Sequence, residues 1–261
     1  MKKEAKYSLG LALSGGGAKG FAHLGVLQAM EEAGMKPDII AGTSAGALVG
    51  VLYADGYSPQ EALELFQHKD FTDFAAFSIP KGGLFKTDKF YAFLERNIRA
   101  KTFEELQIPL RIVATDIEHG ISVIFDRGAL VPVVVGSCSY PIVFSPTVID
   151  GKHYVDGGLF KNFPVSAIRE ACKTVIGVNV SPLTMQKYKN SLLHVAERSF
   201  HYMSVSNTLA ERDLCDLLIE STKVSKYAMF STEHSREIYR IGYETAKRKL
   251  TQWINEQPNF A

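Results

Sequence analysis

Gly42-Thr43-Ser44-Ala45-Gly46 places a serine between two glycines, behind the short apolar run Pro37-Asp38-Ile39-Ile40-Ala41. Glycines two before and two after let a strand turn sharply into a helix without a Cβ clash, which lifts the hydroxyl out of the sheet. The first helical N–H groups then point at whatever that hydroxyl attacks. This is how an acyl-transfer enzyme presents its nucleophile. Taken alone the pentapeptide also reads as a turn with a capping serine, so its companions decide.

Two other stretches carry chemistry. Gly15-Gly16-Gly17-Ala18-Lys19-Gly20 follows the apolar run Tyr7 to Leu13. Consecutive glycines at a strand end leave backbone N–H groups free to converge on one cavity, as an oxyanion hole requires. Gly15, Gly17 and Gly20 also satisfy the G-x-G-x-x-G dinucleotide fingerprint. That use needs an acid for the ribose at the end of the second strand, where this chain has Gly42-Thr43-Ser44. A phosphate-binding P-loop fails too, because Lys19-Gly20-Phe21 lacks the Gly-Lys-Ser/Thr order. The third stretch is Asp156-Gly157-Gly158, an acid at a predicted strand end with a backbone able to turn closely around it. Asp116, also at a strand end, is the rival base, but its turn lacks paired glycines.

The elements that must position these groups alternate. A strand over Tyr7–Leu13, a helix from Phe21 to Ala33 closed by Gly34, and the strand before Gly42 form a βαβ unit with a right-handed crossover. Ala45 to Ala54 is small and apolar enough for a buried helix. Ser58-Pro59-Gln60-Glu61 reads as a capping box with proline in the first turn, and Thr102-Phe103-Glu104-Glu105 as a second. Between them Phe66, Phe71, Phe74, Phe77 and Phe85 surround Ile79-Pro80-Lys81-Gly82-Gly83. That stretch is either a flap that meets acyl chains or a membrane, or a loop burying its rings in a satellite core. A helix is predicted over Thr87 to Ile98. Leu110–Asp116 and Ile121–Asp126 read as an antiparallel pair, and Thr147 to Val155 as a hairpin turning at Asp150-Gly151. Pro164–Ala171 and Leu192–Leu214 are predicted helices, Thr174–Val180 and Asp216–Glu220 strands, and Ile238–Ile254 an amphipathic closing helix.

Composition bounds the function. The 261 residues are 46% hydrophobic with no Pro/Ser-rich linker, which predicts one domain over 1–261. A net charge of +1 with mixed signs gives no nucleic-acid footprint. The charged start Met1 to Lys6 lacks the apolar core of a signal peptide, and no run is long enough to span a bilayer. Cys138, Cys172 and Cys215 are odd in number and scattered, which fits a reducing compartment. The expectation is a cytoplasmic protein, peripheral to membranes when it meets them.

The ordered set of three blocks closely resembles the patatin-like phospholipases, a family of acyl-ester hydrolases. The family's glycine-rich block matches Gly15 to Gly20, its nucleophile block Gly42 to Gly46, and its acid block Asp156 to Gly158. A further block, serine then proline ahead of the hairpin, is echoed by Ser137-Cys138-Ser139-Tyr140-Pro141 and Phe144. The match spans about residues 8–180, with Lys19 where arginine is common and Gly136 where alanine is usual. The resemblance implies a three-layer α/β/α fold with a mostly parallel central sheet. It implies a Ser44–Asp156 catalytic dyad without histidine, and an oxyanion hole drawn from Gly15, Gly16, Gly17 and Ala45. Lys19, Gly20, Gly42, Gly46, Gly157 and Gly158 then support the motifs. The substrate class is a lipid or acyl ester, with no metal and no cofactor.

A dyad makes a physical demand. An aspartate titrating near pH 4 is a poor base, so the site must desolvate it, and Tyr154, Val155, Leu159 and Phe160 are placed to do so. Among the histidines, His194, His201 and His234 follow Asp156 in order but sit at no strand end, while His23 and His153 are expected to face away. His194, Glu197 and His201 share a helical face, expected to be a solvated or partner-facing stripe rather than a ligand set. The competing classes are a lipid-binding or regulatory protein with a vestigial esterase site, and a nucleotide binder using Gly15 to Gly20.

Overall fold

Alternate residues of the central strands face opposite sides of one sheet, and both sides are buried. In β1 (Tyr7–Leu13), Leu9, Leu11 and Leu13 enter the larger core cluster while Ala12 enters the smaller one. In β2 (Ile39–Thr43), Ile40 goes one way and Ile39 and Ala41 the other. A sheet buried on both faces needs covering layers on both, and its strands are predominantly parallel. The computed structural model describes residues 5–256 apart from 67–68, 70, 75, 78–82, 186 and 189.

The remaining strands are β3 (Ala76–Phe77), β4 (Phe85–Lys86), β5 (Leu110–Asp116), β6 (Ile121–Phe125), β7 (Thr147–Ile149), β8 (Lys152–Asp156), β9 (Cys172–Asn179) and β10 (Leu217–Glu220). The main sheet runs β10-β9-β1-β2-β5-β8-β7, with β6 also paired to β5. From β10 to β5 neighbours are parallel, and β6, β7 and β8 join antiparallel. β3 and β4 form a small separate pair.

β5 has three partners but only two edges. β6 covers Ile112 to Asp116 along one edge. The other edge is shared: β2 pairs with Leu110 to Val113, and β8 with Ala114 to Asp116 from the opposite direction. The ends of β2 and β8 therefore meet. This arrangement positions the site.

The larger core lies beneath α1 (Phe21–Glu32), α2 (Ala45–Ala54), α3 (Pro59–Leu65), α4 (Phe71–Phe74), α5 (Asp88–Asn97), α6 (Leu130–Ser137) and, after intervening elements, the closing helix Ser235–Glu256. The Ser58 capping box is present with both bonds made. The predicted box at Thr102 is not. Glu105 accepts the Lys101 amide instead (2.7 Å), and only a short 3-10 turn, Phe103–Glu105, forms.

The smaller core is closed by Phe163, Val165, Ala167 and Ile168, beyond α7 (Gly158–Lys161). The helix predicted over Pro164–Ala171 is replaced by two 3-10 turns, Val165–Ala167 and Arg169–Ala171. Burying positions 165, 167 and 168 together asks for more than one face of an α-helix. The long helix predicted over Leu192–Leu214 divides into α8 (Leu192–Ser206) and α9 (Leu209–Arg212), making the closing helix α10. Asn207 marks the break: its side chain accepts the Asn162 amide (2.8 Å) and donates to the Gly158 carbonyl (3.0 Å), tying α8 to α7. Among the described residues, no helix is long and apolar enough to cross a membrane.

Candidate active site

Ser44 follows β2 directly and adopts φ 53°, ψ −120°, a left-handed conformation that costs a non-glycine residue about 1–3 kcal/mol. The surroundings over-determine it. Its N–H donates to Ser137 Oγ (2.8 Å), whose hydroxyl donates to the Val113 carbonyl (2.6 Å). Its carbonyl accepts the Leu48 amide in the first turn of α2 (3.0 Å). The flanking glycines permit close approach: a Cβ on Gly46 would lie 2.2 Å from the Leu13 carbonyl oxygen, and one on Gly42 would lie 2.5 Å from the Gly46 carbonyl oxygen.

The junction of β2 with β8 brings Asp156 to this serine. Ser44 Oγ donates to Asp156 Oδ2 at 2.6 Å, and the Gly158 amide donates to Oδ1 at 2.7 Å. Asp156 is only 3% exposed. Burial pushes its carboxyl up from 3.8 to about 6, against the opposing bonds from Ser44 and Gly158. The strand end is itself pinned, because the Asp156 amide donates to the Ser139 carbonyl (2.9 Å) and its carbonyl accepts Thr115 Oγ1 (3.1 Å).

The glycine loop arrives from β1 beside this pair. The Gly15 amide already donates to the Asn162 carbonyl (2.9 Å), and the Ala18 amide to that of Met229 (2.7 Å). The amides of Gly16 and Gly17 have no partner among the described residues. Ala45 opens α2, so its N–H is one of the orphan donors of a helix start. Lys19 and Gly20 are buried within the loop.

Asp116 lies two positions farther along β5 from the register partner of Asp156. Its carboxylate is occupied by the His119 ring (2.9 Å) and the amides of Glu118 and His119. His153 bonds Glu118 (2.9 Å), and His234 faces Glu237 (3.7 Å). His23 does not face away as expected. It is fully buried under the glycine loop, with Nε2 donating to the Ser14 carbonyl (2.8 Å), and burial pushes it down to about 4, so it is a neutral structural group. The stripe of His194, Glu197 and His201 is also corrected: His201 turns inward and is 6% exposed, while the Glu197 side chain lies outside the described residues.

Ser44 and Asp156 line an apolar cavity of about 180 Å³. Leu24, Leu48, Leu52, Phe66, Phe74 and Phe90 line it. Phe66 and Phe74 are thus both cavity wall and core, in tilted or edge-on contact with each other and with Phe93 at 5.1–5.9 Å between ring centroids. Of the predicted flap, Ile79 to Gly82 lie outside the described residues.

A patatin-like phospholipase family model matches residues 11–168, which takes in the glycine loop, Ser44 and Asp156. The chain belongs to the patatin-like phospholipase family. Among relatives, an uncharacterised NTE family protein of Mycobacterium tuberculosis is 36% identical over 165 residues, covering 60% of this chain and 44% of its own. Patatin-like phospholipase domain-containing protein 6 of Homo sapiens is 32% identical over 182 residues, covering 66% of this chain and 13% of its own. The match thus spans less than half the length of these curated relatives. The crystal structure of VipD from Legionella pneumophila shares the fold, with a TM-score of 0.63 at 16% identity over 96% of this chain and 67% of that one.

Within this patatin-like site, sequence reading missed several supporting residues. Ser137 and Ser139 are quoted above only as a family echo, yet they hold the Ser44 amide and the Asp156 amide. Asn162 carries no motif and takes the Gly15 amide. Cys138 lines the apolar cavity beside Ser44; burial, with the Asp156 charge, pushes its thiol well above its ordinary value and keeps it protonated.

Proposed function

We propose that this chain is a serine hydrolase of lipid acyl esters, of the phospholipase A, lysophospholipase or esterase type, working through Ser44 and Asp156 without a histidine base. The observation that carries this reading is the 2.6 Å bond from the Ser44 hydroxyl to a buried carboxylate whose pKa is pushed up to about 6. A carboxylate titrating there is ionised at neutral pH and is a stronger base than an exposed aspartate. The adjoining apolar cavity suits an acyl chain.

Ser44 Oγ attacks the ester carbonyl as its proton passes to Asp156 Oδ2. Negative charge develops on the carbonyl oxygen, and the Gly16, Gly17 and Ala45 amides are the donors placed to receive it. Gly15 contributes shape rather than a donor, since Asn162 uses its N–H. Asp156 returns the proton to the departing alcohol, leaving an acyl-serine. Water then reverses the sequence and frees the acid. Cys138, Cys172 and Cys215 are all unpaired thiols, which fits a reducing setting.

The test is labelling with a fluorophosphonate probe and peptide mass spectrometry, alongside ester turnover, on wild type, Ser44→Ala and Asp156→Asn. Adduct on Ser44 is expected. Ser44→Ala should lose up to about six orders of magnitude in turnover, and Asp156→Asn at least about a hundredfold. A folded wild type that takes no adduct and turns over no ester overturns the reading and favours a lipid-binding protein.

A further inference from the structure

A second, smaller cavity opens on the catalytic pair. Ser44 and Asp156 form one side of it, with the glycine loop at Gly16 and Gly17. Its other walls mix Tyr140, Phe200 and Met229 with a polar set that the acyl cavity lacks: Asn162, Ser181, His201 and Ser204. At about 20 Å³ it exceeds the 10–15 Å³ or so that one water needs, and it is far too small for a glycerol or head group.

Two features mark this space as built for an occupant. Ser204 is 4% exposed, and its Oγ has no hydrogen-bond partner among the described residues. A buried hydroxyl left unpaired is costly, and a water commonly satisfies it. One turn earlier on α8, His201 is equally buried and its ring also lacks a hydrogen-bond partner among the described residues. Burial, with the Lys19 and Arg198 charges, pushes His201 down to about 4, so the ring is neutral and offers one donor and one acceptor. The absent side chain at Gly158 keeps the space open. A Cβ there would lie 2.8 Å from Asn162 Oδ1, 3.0 Å from Asp156 Oδ1 and 3.4 Å from Ser204 Oγ.

We propose that this cavity holds the water that hydrolyses the acyl-serine, and that His201 and Ser204 are the positioning residues that hold it against Asp156. The inference rests on the acyl-serine reading above. Once Ser44 is acylated, the chain fills the larger cavity, and the smaller one, with its polar side chains, remains the side from which water reaches the carbonyl. Asp156 is then a carboxylate again, its Oδ2 released by the loss of the serine proton. The water gives one proton to Asp156 while its oxygen bonds the carbonyl carbon and the carbonyl π pair moves to the oxyanion. The C–Oγ bond then breaks, Asp156 returns that proton to Ser44 Oγ, and the carboxylic acid leaves. The attacking water's second hydrogen stays on its oxygen and donates a hydrogen bond to His201 or Ser204, which fixes the lone pair toward the carbon.

The experiment separates the two half-reactions. Wild type, Ser204→Val, His201→Leu and His201→Gln are mixed rapidly with 4-nitrophenyl butyrate, quenched in acid and weighed intact. The first-turnover release of 4-nitrophenol should stay within about twofold of wild type in Ser204→Val and His201→Leu, which also reports that they are folded. The acyl-Ser44 adduct should persist at least about tenfold longer in both, and His201→Gln, which keeps a donor and an acceptor, should restore most of the wild-type lifetime. An unchanged lifetime, or acylation and deacylation slowed in parallel, overturns the proposal. Failure of the underlying reading looks different: wild type itself would form no Ser44 adduct, which sinks both.

Discussion

Thr43 and Asp156 pair with consecutive residues of β5, Val113 and Ala114, along the same edge of that strand. Ser44 is the next residue after Thr43, so its contact with the Asp156 carboxylate is fixed by sheet register and not by a loop. Two strands running toward each other stop where their last residues touch. The 2.6 Å bond between Ser44 and Asp156 is formed at that seam.

The carboxyl of Asp156 at about 6 predicts a pH profile. The base form is lost as pH falls, so kcat/KM on a neutral ester should decline below about pH 6 along a single ionisation. An ordinary aspartate would sustain the rate to about pH 4. A profile flat from pH 8 to pH 4.5 would rule out the raised value.

The same group links stability to pH. Its folded pKa exceeds its unfolded one, so the native state binds the extra proton between 3.8 and about 6, and stability falls as pH rises through that window. Carrying the charge at pH 7 costs about 3 kcal/mol at this shift. Asp156→Asn should therefore melt several degrees above wild type at pH 7, and the gap should close as pH approaches 4. Equal melting temperatures at both pH values would contradict this, and thermal denaturation followed by circular dichroism measures it.

Ser137 holds the strained Ser44 through its amide. Removing the hydroxyl in Ser137→Ala takes the acceptor from the part-buried Ser44 N–H and a donor from the Val113 carbonyl, which should cost about 1–3 kcal/mol in urea denaturation. Because Ser44 loses its anchor, kcat should fall while KM changes little. A fall confined to KM would argue that Ser137 touches substrate rather than the elbow.

The apolar cavity predicts chain-length discrimination. Leu48 lines it on α2, one turn beyond Ser44. Leu48→Phe should fill that space and lower kcat/KM for 4-nitrophenyl octanoate at least about tenfold more than for the acetate, the scale on which pocket volume discriminates methylenes. Parallel losses on both esters would place the acyl chain elsewhere.

The blocks around Ser44, Asp156 and the glycine loop are legible in the sequence because each is a local motif, in which a turn type demands glycine at fixed offsets. Sequence reading also reached the αβ alternation, since strands buried on both faces and amphipathic helices have distinct periods. It missed what depends on distant chain segments. That Gly15 donates elsewhere is visible only once Asn162 is placed beside it. His201 looked like part of a surface stripe because the helical face it shares with His194 carries no sign of being inward. The break at Asn207 was hidden for the same reason, since the carbonyls it bonds belong to α7, about fifty residues earlier.

The seam on β5 also governs when the two residues meet. Residues 44 and 156 lie 112 positions apart, and neither strand alone carries the pair. A one-residue slip of β8 against β5 would turn the Asp156 side chain to the opposite face of the sheet and leave the serine without a base. A nascent chain that has emerged only past the elbow helix therefore displays an inert hydroxyl. Under the proposed mechanism the site is complete only once the hairpin docks in the correct alignment, so a misregistered or half-made chain lacks the pair.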